Sequence, residues 1–314
     1  VAGYYEHELL TLSERVRDRD SAPSTAPTER FWEVRAGRVI IATGAIERPL
    51  LFANNDRPGV MLASAAQGYL WRFGVLAGQA PVLFGGDDSL YPLARALKDA
   101  GAIVRAVVDL RSEPGLVAAA YVADGGKVIA GAMVAKALGA KQVSGAEVWQ
   151  IGRGEPHIQE TIPTDAILVS GGLGPSLQLH AQSKGALNWD ESIGSFVPGA
   201  PNGANCSIGG ARGVFDLPAA ISDGVAAGKA APLPERDQAG RPTAPHPWEL
   251  PNPTGGIRFV DLQNDVADKD IALAAREGWH SIEHVKRYTT LGMGTDQGKI
   301  AGPIGLALLA AATG

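Results

Sequence analysis

The chain has 314 residues, 45% hydrophobic and 19% charged, which is enough apolar content for a sizeable core and about two domains and excludes a disordered or fibrous protein. Its 28 basic and 33 acidic side chains leave a net charge of −5, which argues against a nucleic-acid footprint. Glycine is in excess, at 40 residues with no collagen-like period, so tight turns and close backbone approaches have to account for it. A single cysteine, Cys206, excludes an internal disulfide and a cysteine-built zinc or iron–sulfur site; it fits a reducing compartment, and the cytoplasm is the expected location. The longest apolar stretch near the end, Ile304 to Ala312, falls short of the ~18 residues a membrane span needs, so no membrane partner is expected.

In chain order, "FWEVRAGRVIIATG" (31–44) predicts two short strands around the turn Ala36-Gly37, the second ending on the small residues Ala42-Thr43-Gly44. Residues 80–111 predict a β-α-β unit: the strand "APVLF", the turn "GGDDS", a helix with Leu90, Leu93, Ala94 and Leu97 on one face, and the strand "AIVRAVVDLR". Two buried strands joined through a helix require a crossover and so a parallel pair. A helix from Leu116 to Val122, a strand-rich stretch "KVIAGAMVAKAL" (127–138) and the strand "DAILVSGG" (165–172) follow. After "CSIGGARG" (206–213) comes a helix from about Asp216 to Gly228. Residues 231–256 are rich in proline and lack apolar periodicity, which reads as a linker or a strap. Beyond them, 257–314 reads as a short strand and helices, a small helical appendage.

The turn Gly85-Gly86-Asp87-Asp88-Ser89 sits where a dinucleotide-binding unit places its glycine-rich loop. A G-x-G-x-x-G pattern, however, would need glycine where Asp87 and Leu90 stand, and paired aspartates repel a diphosphate. Both a structural turn with helix-capping aspartates and a nucleotide loop, with Asp109 meeting a ribose, stay open. The strand exits "RVIIATGAIERPL" (38–50) and "ILVSGGLGP" (167–175), followed by "SIGGARGVFDLPAAISDGVAAG" (207–228), have the form and order of one split dinucleotide domain interrupted by a second. We therefore expect an α/β fold with two dinucleotide-binding domains of Rossmann type, in which 1–79 and 151–230 form the split domain, 80–150 the inserted one, 231–256 a linker and 257–314 the small domain.

The six histidines show no metal-ligand constellation; His280 and His284 share a helical face without a third ligand, so no metal site is expected. Cys206 reads as buried and inert, and no residue stands out as a catalytic acid, base or nucleophile.

The segment 259–301 is similar to the bacterioferritin-associated ferredoxins, whose two-iron two-sulfur cluster is held by C-x-C and C-x-x-x-x-C. The corresponding positions here are Asp261, Gln263, Asp296 and Ala301, so the resemblance implies the scaffold without its cluster. The loop that remains, with Thr289, Thr290, Gly292, Gly294, Gln297 and Lys299 beside Lys286 and Arg287, is rich in donors for a phosphate; a capped helix end is the plain alternative.

"GYYEHE" (3–8), "ATGAIERPLLFANNDRPGVMLA" (42–63), "LVSGGLGP" (168–175) and "SIEHVKRYTTLGMGTDQGK" (281–299) resemble the α subunits of heterotetrameric sarcosine oxidases, and the resemblance runs over the whole chain. It implies that the chain is the middle of a longer α subunit, lacking a first glycine-rich nucleotide loop before Val1 and a folate-binding aminomethyltransferase-like domain after Gly314. It implies NAD bound at Thr43, Gly44, Gly210, Phe215 and Leu217, with Val1 an adenine contact. FMN would lie at a subunit interface with its phosphate on Thr289, Thr290, Gly292, Gln297 and Lys299. It further implies FAD in a partner subunit that oxidises sarcosine or a related secondary amine, tetrahydrofolate in the missing domain, and β, γ and δ subunits as partners. The rival readings are the α subunit of an opine, proline or hydroxyproline dehydrogenase, and a scaffold subunit without catalytic function.

Overall fold

The structure, a computed structural model, describes residues 1–16, 27–151, 155–236, 244 and 246–314. It divides into two compact units, Val1–Ile46 with Leu173–Gln238 and Glu47–Gly172 with Ala239–Gly314. The first unit opens with an antiparallel meander of β1 (Gly3–Tyr5), β2 (Leu9–Arg15) and β3 (Glu29–Arg35), then β4 (Val39–Ile41) and β5 (Ala45–Glu47). The two strands expected between Phe31 and Thr43 both form, but in different sheets, because β3 pairs with β2 and β4 with a strand from the far half of the chain.

The second unit begins with β6 (Val60–Leu62) running straight into α1 (Ala63–Phe73). β7 (Val82–Gly85), α2 (Leu90–Asp99) and β8 (Ala106–Asp109) form the expected β-α-β unit, with Leu90, Leu93, Ala94 and Leu97 all buried. α3 (Leu116–Ala123) and β9 (Val128–Ala130) continue it. The chain then leaves that sheet for an antiparallel meander, β10 (Ala132–Leu138), β11 (Gly145–Gln150) and β12 (His157–Pro163), and comes back as β13 (Ile167–Ser170). The parallel sheet has five strands in the order β6-β13-β7-β8-β9. Alternation along its strands sends Val82, Phe84 and Val108 to one face, against Val134 and Val148 of the meander. Leu83, Val107 and Leu168 go to the other face, among the buried residues of α1, α2 and α3.

That sheet corrects the expected domain limits. Residues 47–79 and 151–172 were expected in the split domain, yet β6 and β13 flank β7 and complete the inserted sheet. Three strands alone would leave an edge of β7 unpaired and its apolar faces short of cover. The interruption of the first unit therefore spans Glu47–Gly172.

The first unit resumes with β14 (Leu173–Pro175), paired with β5, then α4 (Gln178–Gln182), the antiparallel hairpin β15 (Leu187–Asp190) and β16 (Ser195–Pro198), β17 (Asn205–Ser207) and α5 (Leu217–Gly228). The remaining elements, β18 (Phe259–Asp261), β19 (Val266–Ala267), α6 (Asp268–Arg276), α7 (Ile282–Thr289) and α8 (Ala301–Thr313), share a core of Val260, Ile271, Val285, Leu291 and Ile304. Leu51 is part of that core, and Asn55 exchanges two 2.8 Å hydrogen bonds with the backbone of Phe259. The helical part is thus built into the second unit and is not an appendage beyond a linker. The described residues of the proline-rich stretch behave as a strap: Pro247 is buried and Leu250 sits in the core beneath the sheet.

Glu47 fixes the start of α1. Its Oε2 accepts from the Ser64 amide at 2.8 Å and the Ser64 hydroxyl at 2.6 Å, the role a capping side chain plays at a helix N-terminus. Burial pushes its carboxyl above the usual range, and the Ser64 bonds only partly oppose this. A carboxyl raised in the folded state contributes stability that is complete below its unfolded value and lost as pH rises through the folded one. Glu47→Gln retains an acceptor for Ser64 and removes the ionisation. Denaturant unfolding from about pH 4 to about pH 8 should therefore show a shallower loss of stability in this variant, and equal slopes would refute the assignment.

Candidate functional site

In the first unit β4 and β17 run parallel, with Val39 opposite Asn205 and Ile41 opposite Ser207. Their carboxyl ends consequently deliver Ala42-Thr43-Gly44 and Ile208-Gly209-Gly210 side by side, and the Ile208 amide donates to Ile41 at 3.0 Å. A Cβ on Gly210 would stand 3.2 Å from the carbonyl carbon of Gly44 and 3.3 Å from the amide nitrogen of Ala45. Both neighbours are backbone, so a larger residue would have to push the two exits apart by a few tenths of an ångström where they cross. Thr43 Oγ1 donates to Ser176 O at 2.7 Å and the Ser176 amide returns a bond to Gly44 O at 2.9 Å, which pins the first exit.

The second exit is held by a group that sequence reasoning missed. Asp223, buried in α5, accepts from the Gly209 amide and from Arg212 Nε, both at 2.9 Å, and so clamps the turn Gly209–Arg212 to the helix that follows. The only signal in the sequence is an acidic residue set among the small residues of α5. Asp216 caps that helix through the Ala219 amide at 3.0 Å, and Pro218 fits its first turn. The carboxyl ends of parallel strands are where open α/β sheets take a dinucleotide.

Thr43, Gly44 and Gly210 meet at this crossing, Phe215 lies on the turn into α5, and Leu217 is the first residue of the helix, 71% exposed. Val1 stands exposed at the start of the β1–β2–β3 sheet, on a different sheet from β4 and β17. Cys206 departs from its expected burial: it is half-buried, with Arg38 Nη2 3.5 Å from its sulfur. A separate cavity of about 650 Å³ beside the β15–β16 hairpin is lined by Trp189, Asp190, Arg212 and Arg236. Its cations are engaged by the protein itself, Arg236 by Asp190 at 2.5 Å and Arg212 by Asp223.

The second candidate, the loop after α7, is organised by its own acceptors. Asp261, 3% exposed, receives the Gly292 amide at 2.8 Å on one oxygen and the Gln263 amide at 2.9 Å and Asn264 amide at 3.2 Å on the other. Gln263 Oε1 accepts from the Thr295 amide at 2.8 Å and hydroxyl at 2.5 Å, and Asp296 accepts from the amides of Gly298 and Ile300. Thr289 and Thr290 turn their hydroxyls onto the carbonyls of Val285 and Thr289, and Gln297 Nε2 donates to Gly294 O. Many of the donors expected for a phosphate are thus spent within the loop, whereas Lys299 and Arg287 are exposed and Lys286 reaches Glu283 only at 3.4 Å. Three of the four positions aligned with cluster cysteines now carry these acceptors. His284 packs edge-on against Trp279 at 5.6 Å, and among the described residues no group of three or more His, Cys, Asp or Glu side chains is placed to hold a metal.

The family model described as the sarcosine oxidase A3 domain matches residues 256–314. Over 341 residues the chain is 37% identical to the sarcosine oxidase subunit alpha of Corynebacterium sp. (strain P-1), covering 100% of this chain and 34% of the relative. Against the sarcosine oxidase subunit alpha of Rhizobium meliloti (strain 1021) the identity is 38% over 330 residues, 99% of this chain and 32% of that one. The chain is homologous to sarcosine oxidase α subunits. It spans about a third of the length of these curated relatives. Among solved structures, L-proline dehydrogenase from P. horikoshii matches with a TM-score of 0.59 at 18% identity, over 90% of this chain and 54% of that one, a likeness of fold. The expected α/β architecture of Rossmann type therefore stands, and among the described residues no helix is long and apolar enough to cross a membrane.

Proposed function

We propose that this chain is the cofactor-holding part of the α subunit of a cytoplasmic sarcosine-oxidase-type complex, an oxidoreductase acting on the CH–NH group of a secondary amine. The 37% and 38% identity to two sarcosine oxidase α subunits over essentially the whole of this chain carries this reading. The α subunit would work with β, γ and δ partners, with amine oxidation at FAD in a partner and one-carbon transfer to tetrahydrofolate in a further domain. No side chain of this chain is assigned as acid, base or nucleophile.

The crossing of Thr43, Gly44 and Gly210 fits NAD, because it presents bare backbone at the carboxyl ends of two parallel strands, beside a helix to which Gly209 is held by Asp223. Phe215 and Leu217 would pack against the nucleotide, and Val1 would meet its adenine. The loop after α7 fits the phosphate of FMN through its cations and less through its amides: Lys299, Lys286 and Arg287 supply the charge on a frame set by Asp261 and Gln263. When bound there, FMN would supply an electron path from the partner's flavin to dioxygen.

Mass spectrometry and metal analysis of the intact complex test this directly. One NAD and one FMN per complex beside the partner's FAD, and no stoichiometric iron, are expected. Lys299→Ala removes a charge-assisted contact of about 1.5–3 kcal/mol and should weaken FMN retention roughly 10- to 100-fold. Absence of NAD would sink the NAD assignment, and unchanged FMN content in the variant would sink the phosphate assignment.

A further inference from the structure

The inserted parallel sheet has its own ligand crevice by topology. From β7 the chain winds outward through β8 to β9, while β13 and β6 lie on the other side of β7, so the strand order reverses between β7 and β13. Ligands of open α/β sheets bind outside the carboxyl ends of the strands at such a reversal. Here those ends are Gly85, leading into the Gly86-Asp87 turn, and Ser170, leading into Gly171.

Both halves of a dinucleotide position are filled from within the chain. At the diphosphate position a Cβ on Gly86 would collide with that of Ala244, and a Cβ on Gly171 would come 3.1 Å from Pro247 Cγ, so the strap lies directly on the two turns. Asp87 is drawn inward, with its Oδ2 3.1 Å from Ser170 Oγ, and presents a carboxylate where a diphosphate would need donors. At the ribose position Asp109, at the end of β8, is 0% exposed and has no acceptor to spare. Its Oδ1 takes the Arg111 amide at 2.8 Å and Nε at 3.0 Å, and its Oδ2 takes Arg111 Nη2 at 2.8 Å and the Tyr91 hydroxyl at 2.5 Å.

The strap is anchored as core, unlike a lid. Leu250 is 2% exposed and packs with Phe84 and Val169, its carbonyl accepts from Arg258 at 2.7 Å, and Trp248 lies under the Arg48 guanidinium at 5.9 Å. Segments that open readily bury little apolar surface, and this one buries a leucine in the middle of the sheet's core.

We infer that the inserted Rossmann-like unit is plugged by its own chain: the strap residues Ala244 and His246–Leu250 take the place of a diphosphate and Arg111 that of a ribose, so the unit binds no dinucleotide. It is a closed support whose crevice is spent on attaching the C-terminal helices. The dinucleotide capacity of the chain is accordingly confined to its other unit.

Hydrogen exchange on the full-length protein tests this. Peptides covering Gly85–Leu90 should exchange at the same rate with and without saturating NAD⁺, NADH, NADP⁺ or NADPH. Slowing by any of the four overturns the inference, whatever happens at Gly44 and Gly210. Trp248→Ala, which loosens the strap without touching the crevice, should speed exchange of those peptides about tenfold, as an opening made easier by roughly 1.4 kcal/mol would. Exchange that stays unchanged in this variant would mean that the strap does not cover the turn and would equally overturn it.

Discussion

Arg111→Met is expected to destabilise the unit holding the inserted sheet by about 3–5 kcal/mol, the range for removing one partner of a buried ion pair. Asp109 has no solvent to fall back on, and Arg111 supplies three of the four donors that satisfy it. One of the three is the backbone amide, which the variant keeps; the two guanidinium bonds are lost, and with them the link from Nη1 to Asp88 at 2.8 Å. Burial works against the charge on Arg111, but the bonds to Asp109 and Asp88 outweigh it and hold the guanidinium above its ordinary value, so Arg111 stays charged across the accessible pH range. Burial and the neighbouring carboxylate likewise hold the Tyr91 phenol protonated, so that it remains a donor. The double variant Asp109→Leu with Arg111→Met should recover most of the loss, because an apolar pair of similar volume leaves no charge stranded. Denaturant unfolding of both variants measures this. A loss below about 1 kcal/mol in the single variant would show that Asp109 finds water, and with it an open crevice.

The β-α-β unit was legible because its signal is local: four apolar residues at helical spacing between two apolar runs leave one way to bury them. The strand exits were legible for a related reason, since small residues after a buried run mark them; their close approach at Gly44 and Gly210 was not, because it depends on the pairing of β4 with β17. The partners of the inserted sheet were not. β6 is three residues long, too short to show a period, and its parallel pairing with Ile167–Val169 joins segments with nothing in sequence to connect them. The strap misled for a compositional reason: proline removes backbone donors and apolar period, which reads as a linker, while a single leucine, Leu250, was enough to anchor it in the core. The donor-rich loop misled through its acceptors, because a count of threonines and glycines cannot say that Asp261, some thirty residues earlier, has already claimed the Gly292 amide.

That claim makes Asp261 the second position of large expected effect. Asp261→Ala should cost about 2–4 kcal/mol, since three backbone amides lose a charged acceptor and each such bond is worth about 1.5–3 kcal/mol, less whatever water restores. The damage should be local: the bonds run from the turn after β18 to the loop after α7, so those two segments should show the fastest gain in hydrogen exchange, while α6, packed through Ile271 and Ala274, keeps its protection. Asp261→Asn separates charge from geometry. It retains one carbonyl oxygen and replaces the other by a donor, so it can serve either Gly292 or the Gln263–Asn264 pair but not both, and roughly half the loss is expected. If the loop is the frame on which Lys299 and its neighbours hold a phosphate, FMN retention should fall in the same order, alanine below asparagine below the unaltered chain. A variant that loses the loop's protection yet keeps its FMN would place the phosphate elsewhere, and one that keeps both would show that the loop stands without Asp261.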